Sequence, residues 1–243
     1  MSDNLSFIRD NYSRILERIN NASMRSGRNV EDVKLIVVTK HQPVEKILKI
    51  CENGVELLGE NYPEETDKKI IELAGRISPT WHMIGHIQSR KIKYLVRNFK
   101  MVHSIDRFEV AEKLNNACLQ ADMVMPVLLE VNLTGEESKF GYSVAHEKLC
   151  PAFYQEIEKI KTLGQLQLQG LMTMPPLINK PDENRKIFTK LHSLLEDIGK
   201  VIDVPEFKYL SMGTSQDLEI AIEEGATHIR IGEAIMGKRS SNS

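Results

Sequence analysis

Eight short apolar runs, each followed by a stretch of helical periodicity, constrain this chain more than any other feature. The runs cover residues 33–39, 55–59, 80–84, 101–104, 126–133, 166–172, 207–211 and 228–232. Several lack polar alternation, as strands do when both faces of a parallel sheet are covered. Between them, Val44, Ile47, Leu48 and Cys51 recur at helical spacing and stop at Gly54. Ile92, Leu95, Val96 and Phe99 form a second stripe. Ile187, Leu191, Leu194, Leu195 and Ile198 form a third that ends at Gly199, and Leu218, Ala221 and Ile222 a fourth before Gly225. Eight βα units without a linker or internal repeat predict an α/β fold, a single-domain (β/α)8 TIM barrel over residues 1–243. An open doubly wound sheet is the alternative. Residues 1–30 read as an additional N-terminal helix carrying Leu5, Ile8, Tyr12, Ile15, Leu16 and Ile19 on one face, and residues 238–243 as a polar tail.

Composition narrows the function classes. The chain is 41% hydrophobic, enough to bury a sizeable core. It carries 32 basic and 34 acidic residues, so its charge gives no reason to expect nucleic acid or an anionic membrane as a partner. No apolar stretch approaches the ~20 residues that span a bilayer. The N-terminus lacks the apolar core and small-residue cleavage site of a signal peptide. Cys51, Cys118 and Cys150 are scattered and odd in number, with neither metal-ligand spacing nor a disulfide framework. A cytoplasmic protein without a metal site is the expectation.

Chemistry enters at Lys40, which ends the run VKLIVVTK. A lysine at the C-terminal tip of a barrel strand sits where such folds build active sites, and its amine can form a Schiff base with a carbonyl. In a closed barrel the first and last strands are neighbours, so Lys40 lies near the ends of strands seven and eight. After strand seven comes Gly213-Thr214-Ser215, with Thr214 or Ser215 a suitable N-cap for a helix starting near Gln216. After strand eight come Arg230, Gly232 and Glu233, Gly232 freeing an amide at a helix start. These two loops are where barrels most often bind phosphate. Asp217 and Glu233 would repel a phosphate if their carboxylates faced it. The pattern points to a ligand with both an aldehyde and a phosphate: pyridoxal 5′-phosphate, or a phosphorylated sugar handled by a Schiff-base aldolase.

An ordered set of motifs then narrows the choice. Lys40 after VVTK, Gly59-Glu60-Asn61, WHMIGHIQ from Trp81 to Gln88, His103-Ser104-Ile105-Asp106, Glu130-Val131-Asn132, Ser138-Lys139-Phe140-Gly141, GLMTMP from Gly170 to Pro175, Leu210-Ser211-Met212-Gly213 and Arg230-Ile231-Gly232 occur in this sequence. Together they closely resemble the pyridoxal phosphate homeostasis protein family, itself similar to the N-terminal barrel domain of alanine racemase. The resemblance runs from about residue 33 to 237. It implies pyridoxal phosphate held as a Schiff base on Lys40. Asn61 would hydrogen-bond near the ring. Thr214 and Ser215 would take the phosphate with the backbone amides of Gly232 and Glu233, and Arg230 would face the pyridine nitrogen. His82 and His86 would be wall residues. Three positions depart from the family pattern: Thr214 stands where a Met is usual, Arg90 where an Asn is usual, and Tyr62-Pro63-Glu64-Glu65 lacks the Gln that commonly precedes the Glu.

Arginine cannot readily give up a proton, and a pyridine facing it is a poor electron sink. Alanine racemase takes its second acid/base, a tyrosine, from an additional β domain, which a chain ending at Ser243 is expected to lack. Tyr62, Tyr142 and Tyr209 are the possible substitutes. The resulting expectation is a protein that stores or delivers pyridoxal phosphate without dedicated turnover, with no catalytic residue assigned. A weakly active amino-acid racemase is the alternative. Apo-enzymes that need the cofactor are the partners to test, and the chain is expected to be a monomer or a weak homodimer.

Overall fold

The computed structural model describes residues 5–136, 139–144, 150–176, 181–204 and 206–238. Eight parallel strands close into a barrel: β1 (Lys34–Val38), β2 (Leu57–Glu60), β3 (Thr80–Met83), β4 (Met101–Ile105), β5 (Met125–Asn132), β7 (Leu166–Met172), β8 (Tyr209–Ser211) and β9 (His228–Ile231). Their spatial order is β4-β3-β2-β1-β9-β8-β7-β5, and pairing of β4 with β5 completes the ring. A two-residue strand, β6 (Tyr142–Ser143), adds to the edge of β5. All eight anticipated strands are present to within two residues at each boundary, and the open-sheet alternative falls because β4 and β5 are paired.

The helices are α1 (Ser6–Arg25), α2 (Val44–Glu52), α3 (Pro63–Leu73), α4 (Ile92–Asn98), α5 (Phe108–Gln120), α6 (Cys150–Lys161), α7 (Pro181–Val201), α8 (Leu218–Glu223) and α9 (Glu233–Met236). They form the outer layer, and their apolar stripes pack on the outside of the strands in one large core. Inside the ring a small apolar layer of Met101, Leu128 and Met172 lies beside a column of polar side chains. Two helix boundaries differ from expectation. The α7 helix runs past Gly199 to Val201, because a helical glycine costs only about 1 kcal/mol. The last long loop delays α8 to Leu218, so its N-cap is Asp217 and not Thr214 or Ser215.

The N-terminal helix is shorter than residues 1–30. It ends at Arg25, and Gly27 takes a positive φ of 67°. Ile8, Ile15, Ile19 and Ala22 bury its apolar face. Arg18 reaches across to Glu219 at 2.6 Å and to the carbonyl of Ser215 at 3.0 Å, so α1 braces the loop after β8. Of the anticipated polar tail, only Lys238 falls within the described residues.

Candidate functional site at the C-terminal mouth

The strand ends bring the anticipated residues to one rim. Lys40 lies in the turn two residues past β1, half-buried. The β1–β9 register pairs Ile36 with Arg230 and Val37 with Ile231, and a Cβ on Gly232 would lie 3.4 Å from Val38 Cβ. On the other side, Val38 pairs with Gly59, which brings Asn61 beside the same turn. Barrel closure therefore makes neighbours of residues 40, 61 and 232.

A buried charge cluster fixes the Lys40 turn. Lys69 Nζ on α3 donates to the Thr39 carbonyl at 2.7 Å, Glu60 Oε1 at 2.6 Å and Glu65 Oε1 at 2.7 Å. Thr39 Oγ1 donates to Glu60 Oε1 at 2.7 Å. Burial raises the Glu60 carboxyl above its ordinary value, while Lys69 and Thr39 pull it back. His41 takes a positive φ of 57° and its amide donates to Glu65 Oε1. Sequence reasoning missed Lys69, since an exposed-looking lysine on a helix carries no sign that it turns inward.

The loop after β8 depends on Gly213, which has a φ of 95° and a Cβ position 2.5 Å from Ala221 Cβ. Any side chain there would displace α8. Asp217 is buried and faces into the loop. Its Oδ1 accepts from Thr214 N at 2.6 Å and Thr214 Oγ1 at 2.9 Å, and its Oδ2 accepts from Asn184 at 2.7 Å. Asp217 therefore holds the loop and does not face an anion on the rim. The Thr214 hydroxyl is already engaged. Ser215 presents its hydroxyl without a partner among the described residues, and of the amides at the start of α9 those of Ile235 and Met236 donate to the Gly232 carbonyl, while those of Glu233 and Ala234 have no acceptor within the helix. The exposed Glu233 side chain adds a negative charge to that rim.

Arg230 forms the floor. It is 4% exposed, with Nη1 donating to Ser211 Oγ at 2.6 Å and Nη2 to the Thr173 carbonyl and Met174 Sδ, both at 2.9 Å. Burial lowers it to about 10, so it stays cationic at neutral pH.

Beside Thr173 and Met174, which Arg230 binds, lies a cavity of about 460 Å³, lined among others by Asn61, His86, Glu130, Lys139 and Thr173 but not by Lys40, Ser215 or Arg230 themselves. Asn61 Oδ1 is buried without a hydrogen-bond partner, an orphan that a ligand donor or hydroxyl would satisfy. Gly85 backs Asn61 closely: a Cβ there would lie 2.7 Å from Asn61 Cα. His86 stacks on Phe140 at 3.6 Å between ring centroids and lies 2.8 Å from Asp106, off hydrogen-bond geometry. A second missed residue is Glu130, 9% exposed, whose carboxyl burial and the nearby Asp106 push up to about 7 against the pull of Arg230. An acidic residue at a strand end could have signalled it. The orphaned Asn61 oxygen, the Arg230 floor, the Ser215 hydroxyl and the α9 amides fit a planar ring bearing a polar substituent and a phosphate.

His82 corrects the expectation of a wall residue here. Its ring lines the opposite, N-terminal mouth. Tyr209 also begins β8 at that far end, packed on His228. Tyr142 is packed on Phe153 at 5.1 Å, its hydroxyl buried without a partner and its pKa pushed up by burial. Tyr62, exposed and tilted against His41, is the one of the three with an exposed ring at the C-terminal mouth. Ser138 of the quoted motifs lies outside the described residues. Among the described residues no group of His, Cys, Asp and Glu could hold a metal ion, and no helix is long and apolar enough to cross a membrane.

Known proteins resemble this chain in sequence and fold. The alanine racemase N-terminal domain family matches residues 5–240. The pyridoxal phosphate homeostasis protein of Aquifex aeolicus is 37% identical over 230 residues, covering 95% of this chain and 97% of that one. Its counterpart in Escherichia coli K12 is 32% identical over 235 residues, covering 96% and 97%. The structure of PipY from Synechococcus elongatus with pyridoxal phosphate bound superposes with a TM-score of 0.79 at 30% identity, covering 92% of this chain and all of PipY. An alanine racemase of Clostridium difficile shares the fold alone, with a TM-score of 0.70 at 18% identity over 58% of its length. With sequence identity above 30% and near-complete coverage of both chains, the chain belongs to the pyridoxal phosphate homeostasis protein family.

Proposed function

We propose that this protein binds pyridoxal 5′-phosphate at the C-terminal mouth and stores or delivers it to apo-enzymes in the cytoplasm, without dedicated turnover. The amine of Lys40 holds the aldehyde carbon as a Schiff base with loss of water, a reversible bond suited to a carrier. Asn61 pairs with a polar ring substituent. Ser215 and the amides of Gly232 and Glu233 take the phosphate, with Thr214 supporting the loop through Asp217. Bound pyridoxal phosphate would supply an electron-withdrawing ring, and Arg230, which can only donate, would leave a ring nitrogen it faced unprotonated and the ring a weak electron sink.

The observation that carries the reading is Arg230, a buried, permanent cation held by three hydrogen bonds. A position that can only donate limits carbanion chemistry and still anchors the ring. The placement of the tyrosines also supports it. Tyr142 has its hydroxyl buried beside Phe153 and Tyr209 lies at the opposite mouth, which leaves Tyr62 as the exposed tyrosine of the three.

Borohydride reduction tests the attachment. The native protein should retain the cofactor covalently after reduction and denaturation, and Lys40→Ala should retain none. Undiminished trapping in the variant would place the bond on another lysine. Deuterium exchange at the α-carbon of amino acids tests the racemase alternative, favoured only by Tyr62. Saturable exchange above that of free pyridoxal phosphate would overturn the carrier reading. Transfer to an apo-enzyme faster than spontaneous release would support delivery.

A further inference from the structure

The N-terminal mouth holds a larger cavity than the C-terminal one, about 820 Å³. Every barrel strand contributes a residue to its lining, from Lys34 on β1 and His82 on β3 to Tyr209 on β8 and His228 on β9. Four cationic side chains, Arg28, Lys34, Lys100 and Lys208, face two carboxylates, Glu31 and Asp32. Arg28 is occupied by the carbonyls of Ile222 and Ala226, and Lys208 by Glu206. Lys34 and Lys100 are exposed and form no ion pair among the described residues.

The inner wall of this cavity is joined to Arg230 by a chain of hydrogen bonds whose direction can be derived. A guanidinium only donates, so Ser211 Oγ accepts from Arg230. Ser211 is fully buried, and the only acceptor for its hydroxyl hydrogen among the described residues is His103 Nδ1 at 2.9 Å. His103 therefore carries its proton on Nε2 and donates to His82 Nδ1 at 2.9 Å. His82 in turn must carry its proton on Nε2, the nitrogen on the far side of the ring from His103. Burial holds both imidazoles neutral, lowering His82 to about 4 and His103 well below its ordinary value. Interior layers of such barrels are ordinarily branched apolar side chains. A hydrogen-bonded polar chain in their place, open only at His82 Nε2–H, is costly to break.

We propose that the N-terminal mouth is a second ligand site, for a compact oxyanion such as a phosphate or carboxylate group, coupled to the cofactor site through His82, His103, Ser211 and Arg230. The anion pairs with Lys34 and Lys100 at the rim and accepts from His82 Nε2–H, the one donor whose direction Arg230 dictates. The rings of His82, His228 and Tyr209, set at 39° and 83° to one another, give an angled aromatic wall for the rest of the ligand.

The test is a titration of the full chain with inorganic phosphate and, separately, acetate, monitored by the nitrogen and proton signals of the histidine rings and the Arg230 side chain. This readout does not need bound pyridoxal phosphate, so the proposal can fail while the carrier reading stands, and the reverse. His82 is expected to show an Nε2–H tautomer and a saturable shift with at least one anion; response to phosphate alone, acetate alone or both tells which oxyanion the site takes. Lys34→Ala/Lys100→Ala, changed at exposed positions only, should weaken the response about tenfold, the scale of losing two partly screened ion pairs. Lys190→Ala, at an exposed position of α7 that lines neither cavity, should leave it unchanged. The Arg230 signal should move together with His82, and Ser211→Ala should uncouple them. An unresponsive His82 with both anions, an unchanged titration in the double lysine variant, or an Arg230 signal that stays still while His82 moves would each overturn the proposal.

Discussion

The two mouths of this barrel are built from the same eight strands but by different means. The C-terminal mouth is made of the turns and loops that leave the strands: Lys40 in a turn beside a left-handed His41, Asn61 with an orphaned oxygen, and a loop that only Gly213 permits. The N-terminal mouth takes a residue from every strand and its charges mostly from the segments that precede the strands, and its His82 is hydrogen-bonded inward to His103. Loops can leave donors and acceptors open, whereas strand side chains pointing into a narrow ring must satisfy each other. One end is thereby arranged for a ligand that completes it, the other for one that pairs with charges at its rim.

Equivalent residue types in the two mouths should respond very differently. Lys69→Met removes the cation from the buried Glu60 cluster and should destabilise the protein by roughly 3–5 kcal/mol at pH 8, because the carboxylate is left without its partner. Lys34→Met, at an exposed position, should cost under about 0.5 kcal/mol. The pH dependence has a definite sign. Glu60 already has a raised pKa, and loss of Lys69 removes the largest effect that lowers it. Its stabilising proton uptake is complete below the unfolded value and lost as pH rises through the folded one, so the deficit of Lys69→Met should shrink as pH falls from 8 to 5. Urea unfolding at both pH values measures this, and Lys69→Met/Glu60→Gln should recover much of the loss. A deficit independent of pH would mean that Glu60 is not the group left stranded.

Glu130 sharpens the contrast within the C-terminal mouth. Its folded value of about 7 lies above an ordinary carboxyl of 4.5. The native state therefore binds the proton more tightly, and stability should fall as pH rises from about 4.5 to 7, by on the order of 3 kcal/mol in total. Glu130→Gln should remove that decline and be the more stable protein at pH 8. Parallel stability curves for the two proteins between pH 5 and 8 would sink the assignment.

Legibility in the sequence divides along the same line. The barrel was legible because β strands buried on both faces and helices buried on one leave different periods, as in the run 166–172 against the stripe from Ile187 to Ile198. Lys40, Arg230 and the glycine-bearing loops were legible because strand ends have fixed meaning in a closed barrel. The direction of a side chain inside the ring was not. His82 lies two residues after Thr80 and four before His86, yet one histidine lines the N-terminal mouth and the other the C-terminal. Lys69 was missed for a related reason: it reaches Thr39, thirty residues away, so no local pattern marks it as buried.

The smallest effect separates two adjacent hydroxyls in the phosphate loop. Thr214 Oγ1 donates to Asp217 Oδ1, and that carboxylate also accepts from the Thr214 amide. Thr214→Ala removes a bond that shapes the loop and should lower stability by about 1 kcal/mol while changing cofactor release little. Ser215 has its carbonyl tied to Arg18 and its hydroxyl open. Ser215→Ala should leave stability nearly unchanged and speed release of pyridoxal phosphate about tenfold, the loss expected for one hydrogen bond to a charged group. Urea unfolding and the decay of cofactor absorbance in the presence of an apo-enzyme trap read the two quantities separately. If Thr214→Ala instead carries the release effect, then Asp217 must give up Thr214 when phosphate binds, and the loop is rebuilt by its ligand.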